Sequence, residues 1–242
     1  MARKPTSRSA RSSSANNSTA PAAPATPSND REKIIAAFMA LLAEKPIEQI
    51  GLAEIAREAG VSLGQLRGEF ASTLAIVAAH IKAIDRAVLA EDLSDMAEEP
   101  PRERLFDVLM RRLEILGPHR QAIRSLLRSA GRNPPLALAL NGLAVRSQQW
   151  MLTAADINAS GPGGMMRAQG LAALFSSVLR TWTRDDDPGL ARTMAALDRA
   201  LARGQRFVGL LDDLFRIPSR LCRLRPRRRR RDDDAEEDIV AA

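Results

Sequence analysis

Apolar side chains recur every three or four residues along most of the chain between residues 30 and 218, and this spacing is typical of amphipathic helices. The first such segment follows Ser28, Asn29 and Asp30, which are candidate caps, and it ends at Pro46. Its apolar stripe consists of Ile34, Ile35, Phe38, Leu41 and Leu42. No alternating run of β-branched residues competes with this pattern. The sequence therefore predicts an all-α fold of about nine helices.

Prolines and glycines separate the helices that follow. We expect helices over residues 74–93, 102–116, 119–132, 135–157, 167–184, 188–204 and 207–217, with breaks between them that include residues 161–164 and Gly204. The helix over 74–93 contains no Gly or Pro and is longer than a recognition unit needs. This helix should therefore link a small N-terminal three-helix unit to a larger helical bundle.

Residues 50–70 have the layout of a helix-turn-helix. One face of the first short helix carries Leu52, Ile55, Ala56 and Ala59. Gly60 supplies the positive φ that ends this helix, and the Ser62 hydroxyl can cap the helix that follows. In the second helix Leu66 and Phe70 should point inward, so its other face is left to meet a major groove.

The outward surface of this second helix provides the candidate DNA contacts. Gln65 can pair with an adenine edge, and Arg67 can pair with a guanine or a phosphate. In a dimer the two copies of the helix should lie about one DNA turn, roughly 34 Å, apart. The predicted DNA-binding residues are Ser62, Leu63, Gln65, Arg67 and Thr73. The alternative is a three-helix unit that keeps this architecture and no longer touches DNA.

The excess positive charge lies at the two ends of the chain. The net charge is +7, yet residues 31–218 carry 24 cationic and 22 anionic side chains. Residues 1–29 should form a disordered basic arm, and residues 219–242 should form a disordered tail that is first Arg-rich and then acidic. Between these ends we expect a helix-turn-helix domain over residues 30–82 and a larger helical domain over residues 83–218. Residues 31–82 carry equal numbers of cationic and anionic side chains, although phosphate binding usually needs a cationic surplus.

The sequence offers no catalytic constellation. It contains no tyrosine, no Gly-rich phosphate loop and no Ser or Cys nucleophile with a credible base. His80 and His119 are the two histidines, and neither has a Cys or a carboxylate at metal-ligand spacing. The run from Asp185 to Asp187 precedes Pro188, where carboxylates cap backbone amides. We therefore expect no enzymatic activity, no cofactor and no metal.

Two features bear on where the protein acts in the cell. Cys222 is the single cysteine, which excludes an internal disulfide and fits a reducing cytosol. No stretch approaches the roughly 18 apolar residues of a membrane span. These features predict a cytoplasmic protein.

Large apolar side chains in the later helices form a candidate effector site. Apolar cavities form between the helices of a bundle, and methionine adapts to irregular shapes. The candidate lining residues are Leu109, Leu113, Trp150, Met151, Phe175 and Trp182. Ordinary core packing is the alternative interpretation for each of them. A cavity of this composition would take a small apolar effector.

The succession of a first helix, a turn motif, a long connecting helix and an all-helical remainder resembles the TetR family of ligand-responsive repressors. The resemblance is carried by residues 31–82, where LAEIAREAGVSLGQL has the Ile-Ala pair, the Ala-Gly-Val-Ser turn and the following Gly of the family pattern. It implies a homodimer that binds a palindromic DNA operator, with effector binding and dimerisation in residues 83–218. The family commonly has Tyr where this chain has Arg67 and Lys where it has Thr73, and both usually contact DNA phosphates.

Three later segments resemble a second family, the lipid-binding accessory proteins of ubiquinone biosynthesis, which share the TetR fold without its DNA recognition. The segments are residues 102–129, the QQWMLTAADI stretch around Trp150, and residues 167–201. This resemblance implies a non-enzymatic carrier of a lipid or an isoprenoid, which would contact a membrane through an amphipathic helix over residues 207–217. The sequence thus leaves two interpretations open, a DNA-binding regulator and a lipid carrier.

Overall fold

The computed structural model describes residues 27–90 and 98–216, and nine α-helices form most of this part of the chain. The helices are α1 (Pro27–Glu44), α2 (Leu52–Glu58), α3 (Leu63–Glu69), α4 (Thr73–Leu89), α5 (Pro101–Ile115), α6 (Arg120–Ala130), α7 (Pro134–Ala154), α8 (Gly161–Trp182) and α9 (Ala191–Arg216). Short 3-10 turns lie at Ile47–Gln49 and Gly117–His119. The described residues contain no strand, and the predicted all-α fold is confirmed. Within these ranges no helix combines the length and the apolarity needed to cross a membrane.

The first of two cores lies where α1, α2, α3 and the first half of α4 meet. Phe38 from α1, Ile55 from α2 and Leu66 from α3 are almost completely buried in it. The later helix α6 packs along α1 and adds Ala122 and Leu126 to the same core. The N-terminal unit therefore includes a helix from beyond α4 and α5.

The second core lies between α5, α7, α8 and the first half of α9. It includes Leu109, Met151, Phe175, Trp182 and Leu197. The end of α4 closes this core, so that one helix contributes side chains to both cores. This arrangement fits the linking role expected of the helix after the turn motif.

The predicted break at residues 161–164 is wrong, because α8 begins there. Pro162 stands in the first turn of the helix, where a missing amide donor costs nothing. At Gly164 the backbone of Ala159 passes so closely that a Cβ atom would overlap its carbonyl group. The glycine at this position serves a close approach of two backbone segments and does not end a helix.

The predicted break at Gly204 is also wrong, because α9 continues through it to Arg216. A Cβ atom on Gly204 would lie 3.0 Å from the Leu174 side chain on α8. The missing side chain lets α9 pack closely against α8. The helices predicted over residues 188–204 and 207–217 are therefore one continuous helix.

The acidic run before α9 caps that helix, as predicted. Asp187 accepts hydrogen bonds from the backbone amides of Gly189 and Ala191, at 3.1 and 3.2 Å. Asp185 accepts from the hydroxyl and the backbone amide of Thr193, at 2.7 and 2.9 Å. These bonds hold the pKa of Asp185 below its usual value, and the bond from the Thr193 hydroxyl makes the largest contribution. The carboxylates thus satisfy amides at a helix start.

A charged pair is buried in the second core, where α4 and α5 meet. Arg112 Nη1 lies 2.7 Å from Asp85 Oδ1, and the Ser147 hydroxyl on α7 donates to the same carboxylate oxygen at 2.8 Å. The Arg112 guanidinium also lies 5.6 Å from the centre of the Phe175 ring on α8. Burial lowers the pKa of Arg112, and the neighbouring Asp85 opposes that shift. The pair therefore connects four helices of the bundle.

The two histidines, distant in sequence, meet between α4 and the turn before α6. Their ring centres lie 4.6 Å apart, edge to face, and His80 Nε2 is buried without a hydrogen-bond partner. Burial lowers the pKa of His80 to about 4, and the charges of His119 and Arg112 add to this shift. Burial also lowers the pKa of His119. Among the described residues, no group of three His, Cys, Asp or Glu side chains could hold a metal ion.

We expect the free energy of unfolding to fall as the pH is lowered from about 6.5 towards 4, the interval between the ordinary and the folded pKa of His80. In this interval the unfolded chain binds a proton that the folded protein excludes, so protonation favours unfolding. His80→Phe should flatten this dependence in urea unfolding series at several pH values, whereas His119→Gln should change it less. Parallel pH curves for the wild type and His80→Phe would contradict the expectation.

Several predictions concern residues outside the described ranges. They include the tail over residues 219–242, Cys222, and the end of the helix predicted to run to residue 93. The predicted arm over residues 1–29 overlaps the structure only at its end, because α1 already begins at Pro27. The side chains that would form an amphipathic face over residues 207–217 also lie outside the description. For these segments the predictions stay predictions.

Candidate nucleic-acid interface

The helix α3 begins with a reciprocal pair of hydrogen bonds. The Ser62 hydroxyl accepts from the backbone amide of Gln65 at 3.1 Å, and Gln65 Oε1 accepts from the backbone amide of Ser62 at 2.8 Å. This capping box satisfies two amides at the helix start. Gly60, in the turn before it, has a φ of 66°, a left-handed conformation that glycine adopts without strain. The predicted turn and the predicted cap are confirmed.

The first turns of α1 hold α3 at two points. Asp30 Oδ2 accepts a hydrogen bond from Gln65 Nε2 at 2.9 Å. Arg31 Nη1 lies 3.3 Å from Glu69 Oε2, and its guanidinium lies 4.6 Å from the centre of the Phe70 ring. The negative charge of Glu69 is therefore compensated within the protein, at the end of the helix that would approach DNA.

The outer face of α3 carries small and apolar residues around one cation. Leu63 is 56% exposed, and Gly64, Arg67 and Gly68 are exposed beside it, while Leu66 is buried on the opposite side. Each glycine weakens a helix by about 1 kcal/mol relative to alanine. The helix therefore gains from the two contacts with α1, and its smooth outer face lets its backbone approach another surface closely.

The five predicted DNA-binding residues fall in and next to α3. Ser62 caps the helix, and Leu63 and Arg67 lie on its outer face. Gln65 is also exposed, whereas Thr73 is the first residue of α4 and is half-buried. Their contact with DNA stays a prediction.

Gln65 and Arg67 differ in their freedom to contact a base. Both ends of the Gln65 amide are occupied, because Oε1 accepts from Ser62 and Nε2 donates to Asp30. These bonds fix the orientation of the amide and leave one N–H and one lone pair for any contact with an adenine edge. Arg67 is exposed, and its side chain has no hydrogen-bond or ion-pair partner among the described residues. Arg67 is therefore the better placed of the two.

Sequence reasoning missed the part that Asp30 and Arg31 play in this site. Asp30 was expected only to cap the first helix, whereas it bonds to a residue 35 positions away, and Arg31 pairs with a residue 38 positions away. No local pattern reveals contacts at such separations. The available signal was indirect, since a helix as short as α3 with two glycines needs support from its neighbours.

Five of the six predicted effector-pocket residues lie in the second core. They are Leu109, Leu113, Met151, Phe175 and Trp182, and all are buried. Trp182 is completely buried, with the Arg120 guanidinium 4.9 Å from its ring and with no partner for its Nε1 atom. Gln148 Oε1 is likewise buried without a partner. The interior of the bundle thus contains unsatisfied polar atoms among its apolar side chains.

Trp150 does not share this position. It is 60% exposed on the outer side of α7, whereas the adjacent Met151 is completely buried. Successive residues on a helix point about 100° apart, and the orientation of α7 turns Met151 and Leu152 into the core and Trp150 away from it. The prediction that Trp150 lines an interior pocket is corrected accordingly.

Comparisons with known proteins support the fold. No protein-family model matches the sequence, and no curated protein sequence matches it. Among solved structures, a TetR transcriptional regulator from Nitrosomonas europaea ATCC 19718 is similar at 22% identity with a TM-score of 0.57, over 72% of this chain and 97% of that chain. A TetR transcriptional regulator from Rhodococcus sp. RHA1 is similar at 21% identity with a TM-score of 0.54, over 73% of this chain and 96% of that chain. The chain therefore has the TetR fold that its sequence resemblance predicted.

Proposed function

We propose that the chain is a cytoplasmic, TetR-like transcriptional regulator that binds DNA as a homodimer and inserts α3 of each copy into a major groove. The geometry of α3 carries this proposal. The helix is capped by Ser62, tied to Asp30 and Arg31 of α1, and exposed on the face that holds Arg67. A helix supported from behind in this way can enter a groove without disturbing its core.

Few phosphates should be neutralised by each copy. Residues 31–82 carry six cationic and six anionic side chains, and two of the cations, Arg31 and Lys45, are engaged with Glu69 and Glu54. Since the salt dependence of DNA binding grows with the number of neutralised phosphates, the affinity should fall only gently as salt is added.

Arg67→Ala is expected to weaken the binding of a genomic DNA fragment from beside the gene by at least about tenfold, measured by fluorescence anisotropy at low salt. The change removes the free cation from the outer face of α3 in both copies of a dimer. If Arg67 binds phosphate, the salt slope should also fall by about 1 for each lost contact. If it binds a guanine, the loss should be confined to the preferred sequence.

Arg124→Ala is the matched control, because Arg124 is an exposed arginine on α6 and lies outside α3. This variant should bind the fragment like the wild type. The regulator proposal fails if the unmodified protein binds no fragment at low salt, or if Arg67→Ala and Arg124→Ala bind equally well.

Control by a small apolar effector is the second part of the proposal. An effector bound among the helices of the second core would act on α4, which contributes to both cores. A tilt of α4 would change the distance between the two copies of α3. A difference in effector affinity of about 1–3 kcal/mol between the two states suffices for regulation of this kind.

The lipid carrier is the second candidate function, and exposed apolar residues on α7 and α8 would be its contact surface. Leu138 and Trp150 on α7 and Met165 and Met166 on α8 are each at least half exposed. Exposed apolar surface marks contact with a protein, a ligand or a membrane. Lipid extraction and mass spectrometry on the purified protein test this candidate, which loses its support if no isoprenoid or phospholipid co-purifies.

A further inference from the structure

A polar cleft of about 620 Å³ lies between the end of α1 and the end of α6, apart from both the α3 surface and the second core. One side is formed by Glu44 at the end of α1 and by Glu48 and Gln49 in the following turn. The other side is formed by Arg128 on α6 and by Arg132 between α6 and α7. Its volume lies within the range of small-molecule sites.

Two buried serines join the sides of this cleft at its base. The Ser125 hydroxyl on α6 donates to the backbone carbonyl of Lys45 at 3.1 Å, and the Ser129 hydroxyl donates to Glu48 Oε2 at 2.9 Å. Both serines are only 4% exposed. Because these bonds fix α6 against the end of α1, the cleft has a defined shape and is not a gap between loose segments.

The charges in the cleft are separated by sign. Lys45 also lines it, but its ammonium donates to both carboxylate oxygens of Glu54, at 2.6 and 2.5 Å, and is already compensated. Within residues 30–90 and 98–205, the side chains of Arg128, Arg132 and Glu44 have no hydrogen-bond or ion-pair partner. Free cations therefore stand on the α6 side, and acidic side chains stand on the α1 side.

We infer that the cleft binds a small zwitterion, whose carboxylate lies between Arg128 and Arg132 and whose ammonium group faces Glu44 and Glu48. Guanidinium groups recognise carboxylates through charge-assisted hydrogen bonds, and two of them on the same side of a cleft can share one anion. A simple anion would also meet the two glutamates, and a simple cation would also meet the two arginines. Only a molecule with both charges finds a partner on each side.

Such a ligand would regulate the protein from outside the second core. Its two ends would join the end of α1 to the end of α6, so its binding would favour one arrangement of these two helices. This regulatory step rests on the proposed function, whereas binding of the zwitterion does not.

The test is calorimetric titration of the full-length protein with glycine, 4-aminobutyrate and 6-aminohexanoate, which differ in the distance between their charges. Butyrate and butylammonium serve as the single-charge probes. We expect at least one zwitterion to bind about tenfold more tightly than either single-charge probe. The double variant Arg128→Gln/Arg132→Gln and the variant Glu44→Gln should each lose this preference. Arg124→Gln, one turn earlier on the exposed face of α6, should retain it.

Three outcomes would overturn the inference: no zwitterion binds, butyrate or butylammonium binds as tightly as the best zwitterion, or the double variant binds like the wild type. Anisotropy with the genomic fragment separates this result from the proposed function. If zwitterion binding is present and DNA binding is absent, the cleft site stands and the regulator proposal fails. If DNA binding is present and zwitterion binding is absent, the regulator proposal stands without the cleft site.

Discussion

Asp85→Ala is expected to lower the free energy of unfolding by about 4 kcal/mol, measured by urea denaturation. The reason is the environment of Arg112, which is 5% exposed and has Asp85 as its charged partner in the second core. Without Asp85, a guanidinium would be buried with no opposite charge, and the Ser147 hydroxyl would lose its acceptor.

The double variant Asp85→Leu/Arg112→Met is the control for this prediction. It removes both charges and fills their space with apolar side chains, so it should recover most of the stability that Asp85→Ala loses. Ser147→Ala should cost only about 1 kcal/mol, because it removes one neutral donor and leaves the charged pair in place. If Asp85→Ala costs no more than Ser147→Ala, the pair does not have the role assigned to it.

Gly164→Ala is expected to lower the free energy of unfolding by about 3 kcal/mol. The added methyl group would overlap the backbone carbonyl of Ala159, and neither backbone segment can move as a flexible side chain could. The start of α8 would have to shift away from the preceding loop. Urea denaturation of the purified variant, read by circular dichroism, measures the effect.

Gly142→Ala provides the comparison for this change. Gly142 lies within α7, is exposed, and has no atom within 4 Å of the position that its Cβ would take. The same substitution there should stabilise the protein by up to about 1 kcal/mol, since alanine favours a helix more than glycine does. Equal effects of the two substitutions would show that the close approach at Ala159 is unimportant.

Local sequence patterns were sufficient for most of the fold. The turn at Gly60, the cap at Ser62 and the caps at Asp185 and Asp187 each depend on residues within a few positions of one another. The wrong helix breaks predicted at Gly164 and Gly204 have a cause that is not local. Whether Gly164 and Gly204 interrupt a helix is decided by Ala159 and by Leu174 on α8, whose closeness follows from tertiary packing.

The site was less accessible to prediction. Placement of the outward residues of α3 followed from helix periodicity, but the bond from Gln65 Nε2 to Asp30 could not, since Asp30 reaches it from another helix. Trp150 was misplaced because α7 is apolar on more than one face, so its periodicity does not identify the buried side. The Asp85 and Arg112 charges would ordinarily be assigned to solvent, and only the packing of α4 on α5 reveals them as a buried pair.

The position of α6 limits how this protein can be recombined with others. A chimera joined within α4 would receive the turn motif but would leave behind Ala122 and Leu126, which complete the hydrophobic interior against α1. The donor fragment would then expose the surface of α1 that α6 covers. An exchange of recognition specificity should therefore transplant α6 together with residues 27–90, or graft only the exposed side chains of α3 onto a recipient that keeps its own sixth helix.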